Sequence, residues 1–338
     1  MFYLNHKISV QNNLGLSTLE SLGNNDILFV SQKSFDEFDS QLKNKIKAQI
    51  FYSRNISINL EKINDFIDKL DFTPNKIISF GAGKCTDIAK YVAHKLNIPL
   101  TVIITILSNN VFCTDKVCLE KNNLKITLLA KAPEEVIFDP FIINKTKYDL
   151  HLMGLCDLLS IHTALFDWNL SENNSQGNKN KLIYDIAQTL LNNTFELIKP
   201  QDKIEITKIF ELLLFSGYIT NIYGSGRPES GSEHIFAKYL ETKINIPHGL
   251  SILLGILIMS KIQNNQYEMI EKVIKKLNLF QYFQDYKISK KIITKVFYSI
   301  EQRKDRFTIL DTANYQEFAI LSFLDDLEKS LSFKFFIG

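Results

Sequence analysis

An α/β nucleotide-binding domain followed by an all-helical domain is the fold class that this 338-residue sequence predicts. Three observations carry it. Short β-rich runs alternate with helical ones up to about residue 145, and apolar residues then recur at helical spacing to the C-terminus. Each part also holds one glycine-rich stretch with chemically capable residues beside it. The domains are read as 1–145 and 146–338.

In chain order, residues 26–30, 48–52, 76–80 and 100–104 read as strands, separated by helices over 35–46, 60–70 and 84–96. Such alternation argues for parallel strands with helical crossovers, and an open sheet of that kind binds its ligand at the carboxyl ends of the strands. Two further runs, 125–130 and 135–139, read as strands joined in a hairpin around residues 131–134. From 146 onward the candidate helices are 148–168, 181–198, 203–222, 249–263, 266–277, 290–300 and 314–333. Asp167 and Trp168 read as the structural end of the first of these, and the polar run 171–180 as an exposed loop.

Charge points away from large polyanionic partners. Lysine and arginine total 39 against 37 acidic residues, so neither nucleic acid nor an acidic membrane is an expected partner, and a small molecule is. No basic-then-apolar leader opens the chain, and the apolar run 250–259 is too short to span a bilayer, which predicts a cytoplasmic location. The four cysteines show no Cys-x-x-Cys pair and read as small core residues. A large apolar helical domain permits a homodimer without requiring one.

In the first part, Phe80 ends a strand and is followed by Gly81, Ala82, Gly83 and Lys84, where a helix opens. Glycines let backbone approach a ligand, and the positive end of a helix suits phosphate. The stretch lacks the third glycine of the dinucleotide fingerprint and is not a Walker loop, so an ordinary strand-to-helix turn fits the same residues. The polar loop after residue 104 offers Thr105, Ser108 and Thr114.

In the second part, the run GSGRPESGSEH at 224–234 begins as an irregular segment and ends as a helix start, with Ser230 or Ser232 able to cap and Glu233 in the first turn. His234 stands near that helix start, and His248 lies between Pro247 and Gly249. Asp157 lies among Leu152, Leu155, Leu158 and Ile161, where a carboxylate needs a partner. A metal would supply one. On these residues alone a salt bridge and two capping or surface histidines stand equally open. His6, His94, His151 and His162 are read as structural or exposed.

Taken together and in this order, the glycine loop with Asp87 and Lys90, the loop from Thr105 to Asn110, the helix of Asp157, the run at 224–234, the Pro247-His248-Gly249 triplet and the late RFTIL segment at 306–310 resemble the sn-glycerol-1-phosphate dehydrogenases. These belong to a superfamily with iron-containing alcohol dehydrogenases, glycerol dehydrogenases and 3-dehydroquinate synthases. The resemblance runs from about residue 76 to 310. It implies the dehydroquinate synthase-like two-domain fold with the active site in the cleft. Gly81, Ala82, Gly83, Lys84 and Asp87 would meet the pyrophosphate of NAD or NADP, with Thr105, Ser108 and Thr114 in a second cofactor loop. Asp157, His234 and His248 would hold one divalent metal and act through it, zinc first, with iron or nickel also compatible.

The implied reaction is reduction of the ketone of a phosphorylated ketose to a polyol phosphate. Two positions depart from the family pattern: Asn110, followed by Val111, stands where an aspartate contacts substrate, and Lys238 where a second histidine does. With Asp157, these two are the expected substrate-binding residues, and their charge suggests a ketose phosphate longer than dihydroxyacetone phosphate, of the fructose 6-phosphate type. The alternatives are a dehydroquinate synthase-like cyclase with NAD as transient oxidant, and a metabolite-binding paralogue without turnover.

Overall fold

The structure, a computed structural model, describes residues 7–38, 40–199, 203–286, 288–300, 306–312, 317–331 and 336–337. It divides into two compact units, Met1–His151 and Leu152–Gly338.

The first unit follows the order β1 (Lys7–Val10), α1 (Leu14–Glu20), β2 (Ile27–Val30), α2 (Gln32–Asp36), α3 (Ser40–Lys45), β3 (Gln49–Tyr52), α4 (Leu60–Asp68), β4 (Ile77–Gly81), α5 (Lys84–Leu96), β5 (Leu100–Ile104), β6 (Lys116–Lys121), β7 (Leu124–Leu129), β8 (Glu135–Phe138) and α6 (Pro140–Ile143). Six strands form one parallel sheet in the order β1-β8-β5-β4-β2-β3. Strands β2 and β4 are buried along their whole length, which is why they read as unbroken apolar runs rather than alternating ones. Val30 pairs with Phe80, Phe80 with Ile103, and Ile103 with Ile137, so the centre of the sheet is a continuous apolar layer.

From β2 the chain steps outward to β3 and then returns to β4 on the other side of β2. The carboxyl ends of β2 and β4 therefore flank a topological switch point, where sheets of this kind bind ligands.

Three expectations about this unit are corrected. Residues 124–129 pair with β6 in a separate antiparallel hairpin, not with β8. Asn122 and Asn123, at φ 53 and 62, form its two-residue turn, the left-handed geometry that suits asparagine. Residues 135–138 instead enter the parallel sheet between β5 and β1, and three of the four are buried. The helix read over 35–46 is two short ones, and β1 and α1 went unread because they are short and half exposed.

The second unit contains most of α7 (Tyr148–Leu159), then α8 (Ile161–Asn173), α9 (Lys181–Ile198), α10 (Ile206–Tyr223), α11 (Ser232–Lys243), α12 (His248–Ile262), α13 (Tyr267–Lys276), β9 (Ile288–Ser289), α14 (Lys290–Ile300), α15 (Glu317–Leu331) and β10 (Phe336–Ile337). Among the described residues its regular structure is helical apart from the two-residue parallel pairing of β9 with β10. Every residue from Gly249 to Ser260 is buried, so α12 is a helix enclosed on all sides, apolar all round as such a position requires. No helix among the described residues is long and apolar enough to cross a membrane.

The helix read over 148–168 breaks at Ser160, whose hydroxyl lies 2.6 Å from the carbonyl of Asp157 and 2.7 Å from that of Glu229 and serves one at a time. The second piece runs on to Asn173, so Asp167 and Trp168 lie inside a helix rather than at its end.

Candidate metal centre and nucleotide loop

Asp157 on α7, His234 in the first turn of α11 and His248 at the start of α12 converge within the second unit, their ligand atoms all within 4.8 Å of one another. Asp157 Oδ1 lies 3.3 Å from His234 Nε2 and 3.6 Å from His248 Nε2. Ligands about 2.1 Å from a tetrahedral ion would stand about 3.4 Å apart, so the donor set fits a divalent cation.

What brings the helices together is the size of two residues on α12. A Cβ on Gly249 would lie 2.7 Å from Met153 Cβ, and one on Gly255 would lie 2.8 Å from the Glu233 carbonyl oxygen. The first close approach seats α12 on the helix of Asp157, and the second seats it on the helix of His234.

Both imidazoles are oriented from behind. His234 Nδ1 donates to Glu233 Oε1 at 2.8 Å, and His248 Nδ1 donates to Glu241 Oε1 at 2.8 Å. Glu233 is fully buried and also accepts from Gly231 N at 2.7 Å and Thr163 Oγ1 at 2.6 Å. Glu241 accepts from Ser251 Oγ at 2.5 Å. With Nδ1 engaged in this way, each Nε2 is turned toward Asp157, as histidine ligands require. Neither serine caps α11: Gly231 is its N-cap residue, and the carboxylate of Asp167 accepts Ser232 N at 2.6 Å.

Without a cation, protons on the two imidazoles offset the carboxylates of this cluster. Burial pushes His248 down, but Glu241 and Asp157 outweigh it and raise its pKa to about 10; His234 is raised likewise by Asp157 and Glu233 against burial. Burial would raise Asp157, yet hydrogen bonds from both imidazoles hold it well below the usual carboxylate range. Each imidazole must give up a proton to ligate through Nε2. Addition of one divalent cation to metal-free protein at pH 7 is therefore expected to release at least the proton of His248, read by calorimetry in buffers of different ionisation enthalpy. Binding with no proton release would contradict this electrostatic account.

The nucleotide-loop residues lie in the first unit. Gly81 pairs with Ile104, so the loops that follow β4 and β5 leave the sheet side by side. Gly81 owes its identity to packing, since a Cβ there would lie 2.7 Å from Cys85 Cβ. Gly83 owes its identity to conformation, at φ 48 and ψ −119, with open space where a side chain would go. Ala82 and Gly83 are half-buried and Lys84 is exposed in the first turn of α5, where a cation opposes the helix dipole and an anion would satisfy both.

Asp87 and Thr114 are buried and turned inward: Asp87 Oδ1 accepts Cys118 N at 3.0 Å, and Thr114 Oγ1 accepts from Lys90 Nζ at 3.2 Å. Thr105 is buried with its hydroxyl accepting from Ser34 at 3.2 Å, and Ser108 is half-buried. Asn110 is buried in the same loop, its carbonyl accepting Cys113 N at 3.1 Å. Lys238 is half-buried in the second unit, one helical turn beyond His234.

Sequence reasoning passed over Glu241 and the contact of Glu233 with its neighbour. Spacing held a signal for the first, because His234, Lys238 and Glu241 recur at i, i+4 and i+7 on one face of α11. Adjacent residues on a helix diverge by about 100°, so Glu233 gave none.

Comparison with known proteins bears on this geometry. The family model for iron-containing alcohol dehydrogenases matches residues 21–146. A glycerol-1-phosphate dehydrogenase [NAD(P)+] of Methanosarcina barkeri is 26% identical over 257 residues, covering 74% of this chain and 72% of the relative. The enzyme of the same name from Hyperthermus butylicus is 27% identical over 282 residues, covering 81% and 80%. Among solved structures, a probable glycerol dehydrogenase from Sinorhizobium meliloti superposes with a TM-score of 0.70 at 14% identity over 97% of both chains. A sulfoacetaldehyde reductase from Bifidobacterium kashiwanohense, solved with NAD+, gives 0.67 at 12% identity over 97% of this chain and 98% of that one.

Proposed function

We infer that this chain belongs to the iron-containing alcohol dehydrogenase group that the glycerol-1-phosphate dehydrogenases share, and the activity follows from that premise. It is an NAD(P)-dependent, metal-containing alcohol dehydrogenase, and its substrate is a phosphorylated ketose reduced to a polyol phosphate. The observation that carries this reading is the convergence of Asp157, His234 and His248, each imidazole turned by its own buried carboxylate.

When bound, the cation supplies Lewis acidity toward a carbonyl oxygen and the nicotinamide supplies hydride. The chain's own residues do the rest. Glu233 and Glu241 fix the imidazole tautomers. Lys84 and the opening of α5 receive a phosphate of the cofactor, and Gly83 keeps its approach clear. Zinc, iron and nickel all suit one carboxylate and two imidazoles.

Lys238 points to the class of substrate. On α11 a residue four positions beyond a ligand sits on the same face about 6 Å away, so its ammonium can reach an anionic group of a molecule held at the ion. A ketose phosphate longer than dihydroxyacetone phosphate places a distal phosphate or hydroxyl in that reach.

NAD(P)H oxidation by metal-loaded protein, measured against ketose phosphates from dihydroxyacetone phosphate to fructose 6-phosphate and longer, tests both parts. Lys238→Ala is expected to raise KM for the preferred phosphorylated ketose by about tenfold or more, the value of one charge-assisted contact. Efficient reduction of dihydroxyacetone phosphate alone, indifferent to Lys238→Ala, would overturn the longer substrate while leaving the dehydrogenase in place.

A further inference from the structure

Among the described residues Lys90 is the one lysine with no exposed surface. Its Nζ lies 2.8 Å from Val111 O, 2.8 Å from Thr114 O and 3.2 Å from Thr114 Oγ1, and also donates to Lys116 O. All of these acceptors come from one six-residue stretch that leads into β6. An ammonium is a tripod of donors without an acceptor, suited to gathering several backbone carbonyls at one point.

The near end of the same loop is pinned by other means. Thr146 Oγ1 donates to Thr105 O at 2.9 Å, and Leu107 N donates to His151 Nδ1 at 3.2 Å. At the far end Ala130 N donates to Asp115 O at 2.8 Å, and the carbonyls of Val111, Thr114 and Lys116 are gathered by Lys90, whose buried charge costs several kcal/mol and is offset by these contacts.

We infer that Lys90 is a positioning residue that clamps the 105–116 loop in the shape the nicotinamide cofactor requires. This rests on the dehydrogenase reading for its consequence, though not for the clamp itself. The ammonium is held from α5 itself by the charge of Asp87, and from the loop and β6 it meets Cys113, Asp115 and the like charge of Lys116. Burial outweighs the attraction and lowers its pKa to about 8. A neutral amine would keep two donors and turn a lone pair toward a carbonyl oxygen. The clamp therefore opens just above neutral pH.

The experiment uses full-length, metal-loaded protein and two readouts between pH 7 and 9.5: NAD(P)H dissociation constants by fluorescence, and amide exchange of the 105–116 segment corrected for intrinsic rate. Above about pH 8 the dissociation constant is expected to rise by up to about tenfold per pH unit, with protection of the loop falling in parallel. Lys90→Met should weaken the nucleotide at least about tenfold at pH 7, abolish that pH dependence and leave metal stoichiometry unchanged. Should Lys90→Met not fold, the wild-type titration decides alone. Loop protection and nucleotide affinity that both stay flat through pH 8 overturn the clamp. Loop protection that falls at pH 8 in a protein that binds neither nucleotide keeps the clamp and overturns the dehydrogenase.

Discussion

His234→Ala protein is expected to purify folded, to hold little metal and to oxidise NAD(P)H with its ketose phosphate about a thousandfold or more slowly than wild type. The imidazole is one of three candidate ligands, and its Nε2 stands 3.3 Å from Asp157 Oδ1, so its loss would leave two donors where a bound ion needs at least three. Lewis acidity toward a carbonyl is worth several kcal/mol of transition-state stabilisation, which is three or more decades of rate at about 1.4 kcal/mol each. The substitution also leaves Glu233 Oε1 without its imidazole, while Gly231 N still donates to it, so the helix start should survive. Metal analysis beside single-turnover kinetics checks this. Full metal content with unimpaired turnover would remove His234 from the site.

Asp167→Ala is expected to destabilise the helical unit strongly, by about 3 kcal/mol in urea unfolding. The carboxylate is fully buried and accepts two backbone amides from distant segments, Ser232 N at 2.6 Å and Ile309 N at 2.8 Å. Each amide left unsatisfied in the interior costs about 1–3 kcal/mol. Because Ser232 opens α11 two residues before His234, the same change should weaken metal binding. Asp167→Asn, which keeps one oxygen acceptor and the side-chain shape, should lie between the variant and wild type. A loss below about 1 kcal/mol for the alanine variant would show that water replaces the carboxylate.

How far these features could be read from the chain depended on whether their cause was local. Strands β2, β4 and β5 were legible because burial on both faces leaves an apolar run bounded by polar turns. The partner of residues 124–129 was not, because two candidate strands on either side fit the same alternation, and only the asparagine pair at 122–123 favours the nearer one. Asp157, His234 and His248 were assigned by resemblance. Nothing in their spacing brings α7, α11 and α12 together, and the glycines that permit it, Gly249 and Gly255, pass within an apolar helix as ordinary small residues. Lys90 was noticed only as part of a motif. That it is buried, and gathers three carbonyls, follows from where the 105–116 loop folds back on α5.

The order in which ligands appear along the chain also sets an order of assembly. A ribosome has delivered the whole parallel sheet by Phe138 before it reaches Asp157, and domains generally fold as they emerge. The candidate metal pocket cannot close until α12 follows, and Asp167, which accepts Ser232 N at the start of α11, gains its second amide only when Ile309 arrives. The nascent chain thus carries a formed first unit while the proposed cation site is still three separate helices. The ion is then a late arrival, taken up by a nearly finished protein rather than built into its first folding steps.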